Sequence, residues 1–329
     1  MPMLDIFKTD AFSAVSLTDA ILKAPYKPGR IGALGLFRER GMVTTTAVVE
    51  QKDGQLSLIA TSPRGGPASS IGRASRSARA FIAPHLERES KVMADEVQNV
   101  RAFGSENALE AVQQVVGERL TDLRAMHEVT LEYHRVGAIQ GKILDADGAT
   151  AIYDLFDEFG IVQQTSELNP DSDPRGDAIA IQRLAEAELG GDPVTGYRAF
   201  CGDTFFDALV GGTKVKESLQ YQESALLRTD LRAGFEFGGI TWENYRGKVG
   251  NVDFFPTDAA FVVPVGPSIF ATYFAPADFL EAVNSLGLPL YAKMAFDSDF
   301  NRWVKIHTQS NPLALCLKPR AVVKVTLPT

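Results

Sequence analysis

Four histidines, two cysteines and a handful of paired acids are the side chains able to do chemistry in this chain. His127 and His134 stand two helical turns apart, and with a third ligand they would suit zinc. Ordinary helix residues are the better account of the pair. His127-Glu128 lacks the second histidine that a metalloprotease helix needs at the fixed spacing. Cys201 with His85 or His307 would make a nucleophile and its base, but no local pattern marks them, and a small buried thiol accounts for the cysteine. Asp145-Ala146-Asp147-Gly148 hints at a calcium loop. With Gly148 in the glycine position, however, the first ligand falls on Ile143, and Asp154 stands where the bidentate glutamate belongs. Gly247-Lys248-Val249 lacks the upstream glycine and the Ser/Thr of a phosphate-binding loop, and no Gly-x-Gly-x-x-Gly follows a strand. Acid pairs such as Asp157-Glu158 read as solvated faces. The expectation is a protein with no catalytic residue, no cofactor and no metal site.

Composition narrows the classes further. The chain has 329 residues, 45% hydrophobic and 22% charged, enough for two cores. Its formal net charge of -8 makes it a poor wrapper of nucleic acid. No apolar run approaches the ~18 residues of a membrane span, and the opening Met1–Asp10 carries acids where a secretory signal needs an apolar segment. Cys201 and Cys316 form neither a metal spacing nor a disulfide framework, which fits a reducing, cytosolic origin.

The element that would position everything else is a long helix from about Ser105 to Val136. Leu109, Val112, Val116, Leu120, Leu123, Met126, Val129 and Tyr133 recur at steps of three or four. Ser105 suits the N-cap and Glu106 the first turn. At 1.5 Å per residue the helix is roughly 45 Å long, long enough to cross a domain. Gly104 separates it from an earlier helical run predicted over Ser90–Phe103. The opening segment has little pattern: Ser16–Ala24 forms a short helix stopped by Pro25, and the whole is either disordered or an arm lying on something else. Val43–Glu50 is β-branched and predicts a strand that returns through Asp53-Gly54 into Gln55–Ala60. The run Ser62–Ser70 is an exposed loop. Arg64, Arg73, Arg76, Arg79 and Arg88 put positive charge in or near it, either to meet an acidic surface or simply as solvated charge. A second hairpin turns at Asp147-Gly148. Helices over Asp177–Leu189, with Ile179, Leu184 and Ala187 on one face, and from Asp203, with Phe205, Phe206 and Leu209, lead into strands near 235–237, 240–245, 260–263 and 269–274. Late strands at 290–296, 303–308 and 321–327 complete an α+β pattern.

Several stretches together resemble the lambda-type (E family) major capsid proteins of tailed bacteriophages. Ala33–Gly41 followed by Thr44-Thr45-Thr46, then Leu56–Pro67, carry the likeness, as do Ala94–Gly104 leading into the long helix and Gln140–Gly148. Ala275–Phe279 and Gln309–Leu313 extend it over nearly the whole chain. The resemblance implies the α+β tailed-phage capsid fold of the Hong Kong 97 type. On that plan residues 1–36 are an N-terminal arm, 37–83 an extended β-hairpin loop, 84–174 a peripheral domain with a long spine helix, 175–301 an axial domain, and 302–329 C-terminal strands returning to the core. It also implies inter-subunit contacts through Phe37, Arg38, Arg64, Gly65, Gly66, Arg73, Arg76 and Arg79.

The function implied is self-assembly through pentamers and hexamers into an icosahedral head enclosing double-stranded DNA without sequence-specific binding. Partners would be the chain itself, a separate scaffolding protein, a portal and, in some heads, a decoration protein, with no membrane. Assembly would take place in the cytoplasm of a bacterial host, and the product would be a virion head. Two other classes stay open on the residues alone: a cage of the same fold storing cargo enzymes, and a soluble enzyme with an unrecognised site.

Overall fold

The long helix runs Ala108–Gln140 in a computed structural model that describes residues 10–24, 29–52, 76–97, 108–220, 231–250 and 252–328. Its buried face is Val112, Val116, Leu120 and Leu123, continued by His127, His134 and Ala138. These positions keep the 3.6-residue period. The predicted stripe departs from them after Leu123, because Met126 and Val129 are exposed. Two histidines occupy the core-facing positions, so counting apolar residues leads the eye off the true face. The helix ends at Gly141, whose φ of +84° suits glycine. A Cβ there would lie 2.1 Å from Phe156 Cε2, so the close approach also demands glycine.

One cluster forms on the first half of this helix. Phe12, Leu17 and Ile21 pack with Val112, Val116, Leu120 and Leu123, and with Leu290, Ala292, Val304 and Ile306. Leu17 and Ile21 belong to the helix Ala14–Lys23, capped by Ser13 Oγ accepting from Ser16 N at 3.2 Å. Arg124 Nη1 donates to the carbonyls of Ile21, Leu22 and Ala24 at 2.7, 2.7 and 2.9 Å, satisfying the C-terminal end. Thr18 Oγ1 donates to Ala292 O and accepts from Ala292 N, so the arm helix covers the edge of the sheet Tyr291–Phe296, Trp303–Ser310, Leu86–Met93. The opening segment thus lies, over residues 10–24, on its own subunit. The run predicted as helix over 90–103 is a strand to Met93 and a single helical turn Ala94–Val97; the remainder falls outside the described residues. Register with Trp303–Ser310 overrides its helical composition.

The second half of the helix packs on a sheet in which Arg38–Gly41 runs parallel to Phe270–Phe274, with Pro312–Cys316 antiparallel on the other side. Val136, Ile139, Phe270, Leu313 and Leu315 are buried there. A third core lies under a six-stranded sheet ordered Gln164–Glu167, Val323–Thr326, Ala259–Val265, Gly196–Cys201, Ile240–Asn244, Phe235–Phe237. Helices Pro174–Leu189 and Asp203–Gly211 bring Ala178, Ile181, Ala185, Phe205, Phe206 and Leu209 to it, around a fully buried Trp242. On the first of these, Ile179 and Leu184 lie on the exposed side, contrary to the predicted face. The expected boundary at 301 runs through a sheet, since Tyr291–Phe296 pairs with Trp303–Ser310.

The hairpin Lys142–Leu144 with Ala151–Asp154 forms where Asp147-Gly148 places it. The ribbon after residue 45 differs from expectation. Thr46–Lys52 pairs antiparallel with Arg76–Ile82. The proposed partner, 55–60, lies outside the described residues. Phe81, which is fully buried, anchors the returning strand.

Candidate assembly surface

The residues first considered for chemistry do not converge. Asp147 Oδ1 accepts from Ala149 N and Thr150 N, both at 2.9 Å, and Oδ2 from Thr150 Oγ1 at 2.6 Å. This is a turn closed by its own aspartate. Cys201 is in the six-stranded sheet, whereas His307 is in the sheet beside the arm and His85 just precedes one of its strands. Burial pushes the Cys201 thiol up and the Cys316 thiol up to about 12, so neither supplies thiolate. His127 Nε2 lies 3.0 Å from Thr308 Oγ1, whose single proton goes to Arg88 O, so the imidazole is the donor. Burial, with Arg88 and His307 nearby, pushes it down to about 4. His134 is also pushed down to about 4 by burial, and neither ring nitrogen has a hydrogen-bond partner among the described residues. Both are neutral core residues. Among the described residues no group of three His, Cys, Asp or Glu side chains is placed to hold a metal.

What the sequence reading missed is a buried polar joint where the arm, the long helix and the six-stranded sheet meet. Glu132, nearly inaccessible on the helix, accepts from Ile31 N at 2.6 Å, Gly32 N at 3.0 Å and Tyr245 Oη at 2.9 Å. It caps the turn Arg30–Ala33. Burial first, and then Glu132, drives the Tyr245 hydroxyl well above its usual range. Glu243 receives Arg30 through Nε and through Nη2 at 2.9 Å, and Arg198 Nη1 at 2.8 Å. Its hydrogen bond with Glu243 raises Arg30 above the ordinary guanidinium value. A cleft of about 450 Å³ opens beside this joint, bordered by Arg30, Glu132, Glu243 and Tyr245. Its two carboxylates are already paired or hydrogen-bonded within the subunit, so it reads as a structural joint. Isolated acids and arginines far apart in sequence carry no local signal of such a meeting.

The residues expected at subunit contacts differ in where they lie. Phe37 is buried in the subunit's own core, 4.9 Å from the Phe270 ring centroid, with the Arg135 guanidinium 5.6 Å from its own. Arg38 is exposed on its strand. Arg79 is half-buried with its guanidinium 5.9 Å from the Phe159 ring centroid, while Arg76 opens the returning ribbon strand opposite Lys52. Arg64, Gly65, Gly66 and Arg73 lie outside the described residues.

The ribbon is two-faced. Ala47 and Phe81 face inward and are buried; Val48 and Ile82 face outward and are 63% and 64% exposed. Its root is held by Tyr153, whose hydroxyl accepts from Ile82 N at 2.8 Å and donates to Ile82 O at 2.9 Å. The loop before Tyr291, tied to Met42 O through Gly287 N, leaves Leu280, Val283 and Leu286 at 92%, 60% and 61% exposure.

The profile of the family described as phage major capsid protein E matches residues 13–327. The major capsid protein of Pseudomonas phage KPP10 is 28% identical over 95% of this chain and 96% of its own length. That of Salmonella phage Felix O1 is 24% identical, covering 98% of each. Among solved structures, the capsid of cyanophage A-1(L) superposes with a TM-score of 0.53 at 12% identity, over 92% of this chain and 94% of that one. That last likeness shows a shared fold.

Proposed function

Because the chain belongs to the phage major capsid protein E family, and so builds the wall of a phage head with the capsid fold of the Hong Kong 97 type, we propose how it does so. The family gives it a structural role and places it in the virion head. Copies associate as pentamers and hexamers and close into an icosahedral shell around double-stranded DNA. The contacts run through the ribbon and its continuation, with Arg38, Arg64, Gly65, Gly66, Arg73, Arg76 and Arg79 meeting the adjacent subunit. Phe37 supports that contact from beneath. The six-stranded sheet and its helices serve as the axial domain expected over 175–301, joined by the strands Gln164–Glu167 and Val323–Thr326 from outside those bounds. The long helix and the sheet under the arm serve as the peripheral one. A separate scaffolding protein, a portal and a decoration protein are the further partners, and assembly takes place in the host cytoplasm.

The observation that carries this reading is the ribbon. A two-stranded ribbon is marginal in water by itself, and this one turns Val48 and Ile82 to solvent. Repeating one weak contact in every copy of a closed array makes a strong wall. The net charge of -8 limits adhesion to packaged DNA. The test replaces residues 55–73 by a short Gly-Ser turn, leaving both described strands intact. Subunits that melt like wild type but make no particles by negative-stain microscopy support the reading. Normal particles would refute it.

A further inference from the structure

The carboxylates of the buried joint are spoken for, but the cations at the mouth of the cleft beside it are not all engaged. Among the described residues, Arg30, Arg232, Arg246 and Lys248 border the cleft, against two acids, Glu132 and Glu243. Adding the groups paired to them, Arg198 on Glu243 at 2.8 Å and Asp253 on Lys248 at 3.1 Å, leaves two positive charges in excess. The chain around this excess has a formal net charge of -8. Arg246 is exposed and has no charged partner among the described residues. Arg30 spends Nε and Nη2 on Glu243 and keeps Nη1 for a ligand. Beside these cations stand two exposed aliphatic side chains, Val129 on the long helix at 42% and Val249 at 50%. The floor is fixed: Tyr245 Oη is tied to Glu132, and a Cβ on Gly247 would lie 2.3 Å from Tyr245 Cε1.

A preformed cleft of about 450 Å³, with converging cations and an apolar side, selects its occupant. An inorganic anion would use the cations and leave both valines uncovered. A DNA duplex carries its phosphates on a convex rod and does not fit a concavity of this size. A carboxylate flanked by aliphatic side chains meets both halves: Arg246 and Arg30 take the charge, Val129 and Val249 the apolar part. One loop of this chain has that chemistry, Leu280 to Val283. Its Glu281, however, is paired with Lys293 at 2.8 Å, and its backbone is tied through Gly287 N to Met42 O. We propose that the cleft binds an extended acidic-aliphatic segment of a separate protein, one in which Asp or Glu alternates with Leu or Val. The arm turn that begins at Arg30 forms one wall, so the segment touches the arm, the long helix and the six-stranded sheet at once. This site goes beyond the shell-building reading, whose contacts run through the ribbon.

The experiment titrates the full-length chain, unassembled, into a fluorescein-labelled pool of short peptides built only from Asp, Glu, Leu and Val, and follows anisotropy. A matched pool with Lys in place of the acids and a short DNA duplex are titrated beside it. The expected result is saturable binding of the acidic pool, at least tenfold tighter than the Lys pool. Arg246→Glu should weaken it about tenfold, Val249→Ser several-fold, and Arg246→Lys little, with all three melting like wild type because both positions are exposed. Val249→Ser decides the matter should Arg246→Glu lose its fold. Equal binding of the two pools overturns the proposal, as does acidic-pool binding that neither Arg246→Glu nor Val249→Ser changes. Binding of the duplex in place of the peptides, with the same dependence on Arg246, overturns it in favour of nucleic acid. A peptide of residues 278–286 that binds as tightly as the pool overturns it in favour of a second copy of this chain. Binding is measured on unassembled chains, so a failure to form particles sinks the shell reading and leaves this result intact.

Discussion

The arm helix Ala14–Lys23 and the ribbon Thr46–Lys52/Arg76–Ile82 start from the same position: each is too small to stabilise itself. Their outcomes differ. The arm buries Leu17 and Ile21 completely against the long helix, lends Thr18 to the edge strand, and has its last carbonyls met by Arg124. The ribbon buries one side through Phe81 and leaves Val48 and Ile82 in solvent on the other. An element whose packing face and last carbonyls are met at home, as the arm's are although Val15 stands in solvent, belongs to the subunit. An element satisfied on one face only is available to a neighbour. Changes on the arm side should therefore register in the stability of an isolated subunit, and changes on the outer ribbon face should register in assembly.

The largest effect is expected from Leu123→Asp, which places a charge in the cluster shared by the arm and the helix. Burying an unpaired carboxylate costs several kcal/mol or forces its neutralisation, against a total of ~5–15 kcal/mol. Isolated subunits should be largely unfolded by circular dichroism at 25 °C; wild-type melting would break the assignment of this face. Ile21→Ala tests the arm directly, with an expected loss of ~2–5 kcal/mol in denaturant unfolding of the subunit. A loss below about 0.5 kcal/mol would mean that the arm is detachable, and the contrast with the ribbon would vanish.

Acid gives the next effect. His127 and His134 are held at about 4 in the fold, below their ordinary 6.5. The unfolded chain therefore takes up protons first as pH falls. The stability tied to these neutral rings is complete above about pH 6.5 and is lost progressively down to about pH 4, by on the order of a few kcal/mol for the pair. Subunit melting at pH 7.5, 5.5 and 4.5 measures it. His134→Leu should flatten the curve and, by removing two unpaired buried nitrogens, leave stability at pH 7.5 unchanged or raised. An unchanged slope would show that His134 titrates normally. The smallest effect on the subunit is expected from Val48→Ser with Ile82→Ser, within about 0.5 kcal/mol, while particle yield falls sharply. Intact particle yield would place the ribbon's outer face away from any contact.

The long helix was legible because a 3.6-residue apolar period is a local property, and it survives as Ala108–Gln140. The hairpin at Asp147-Gly148 and the helix bearing Phe205, Phe206 and Leu209 were legible for the same reason: turn chemistry and short-range patterning suffice. The strand Gly196–Cys201 was not, although it sits centrally in the six-stranded sheet; its six residues make no alternation, and its burial comes from strands on both sides. At the proposed surface, the ribbon strand from Thr46 was visible in its β-branched residues, but its partner was not, since pairing across residues 53–75 depends on where Phe81 finds a core. Composition and local period thus determined the long helix, several shorter elements and the α+β class, but not the strands Leu86–Met93 and Gly196–Cys201. Which face of the helix is buried, which acids are paired, and which aliphatic residues remain in solvent were decided only by tertiary packing. Burial is a relation between distant segments, and Leu280 and Leu290 differ in nothing local that would send one outward and the other into the core.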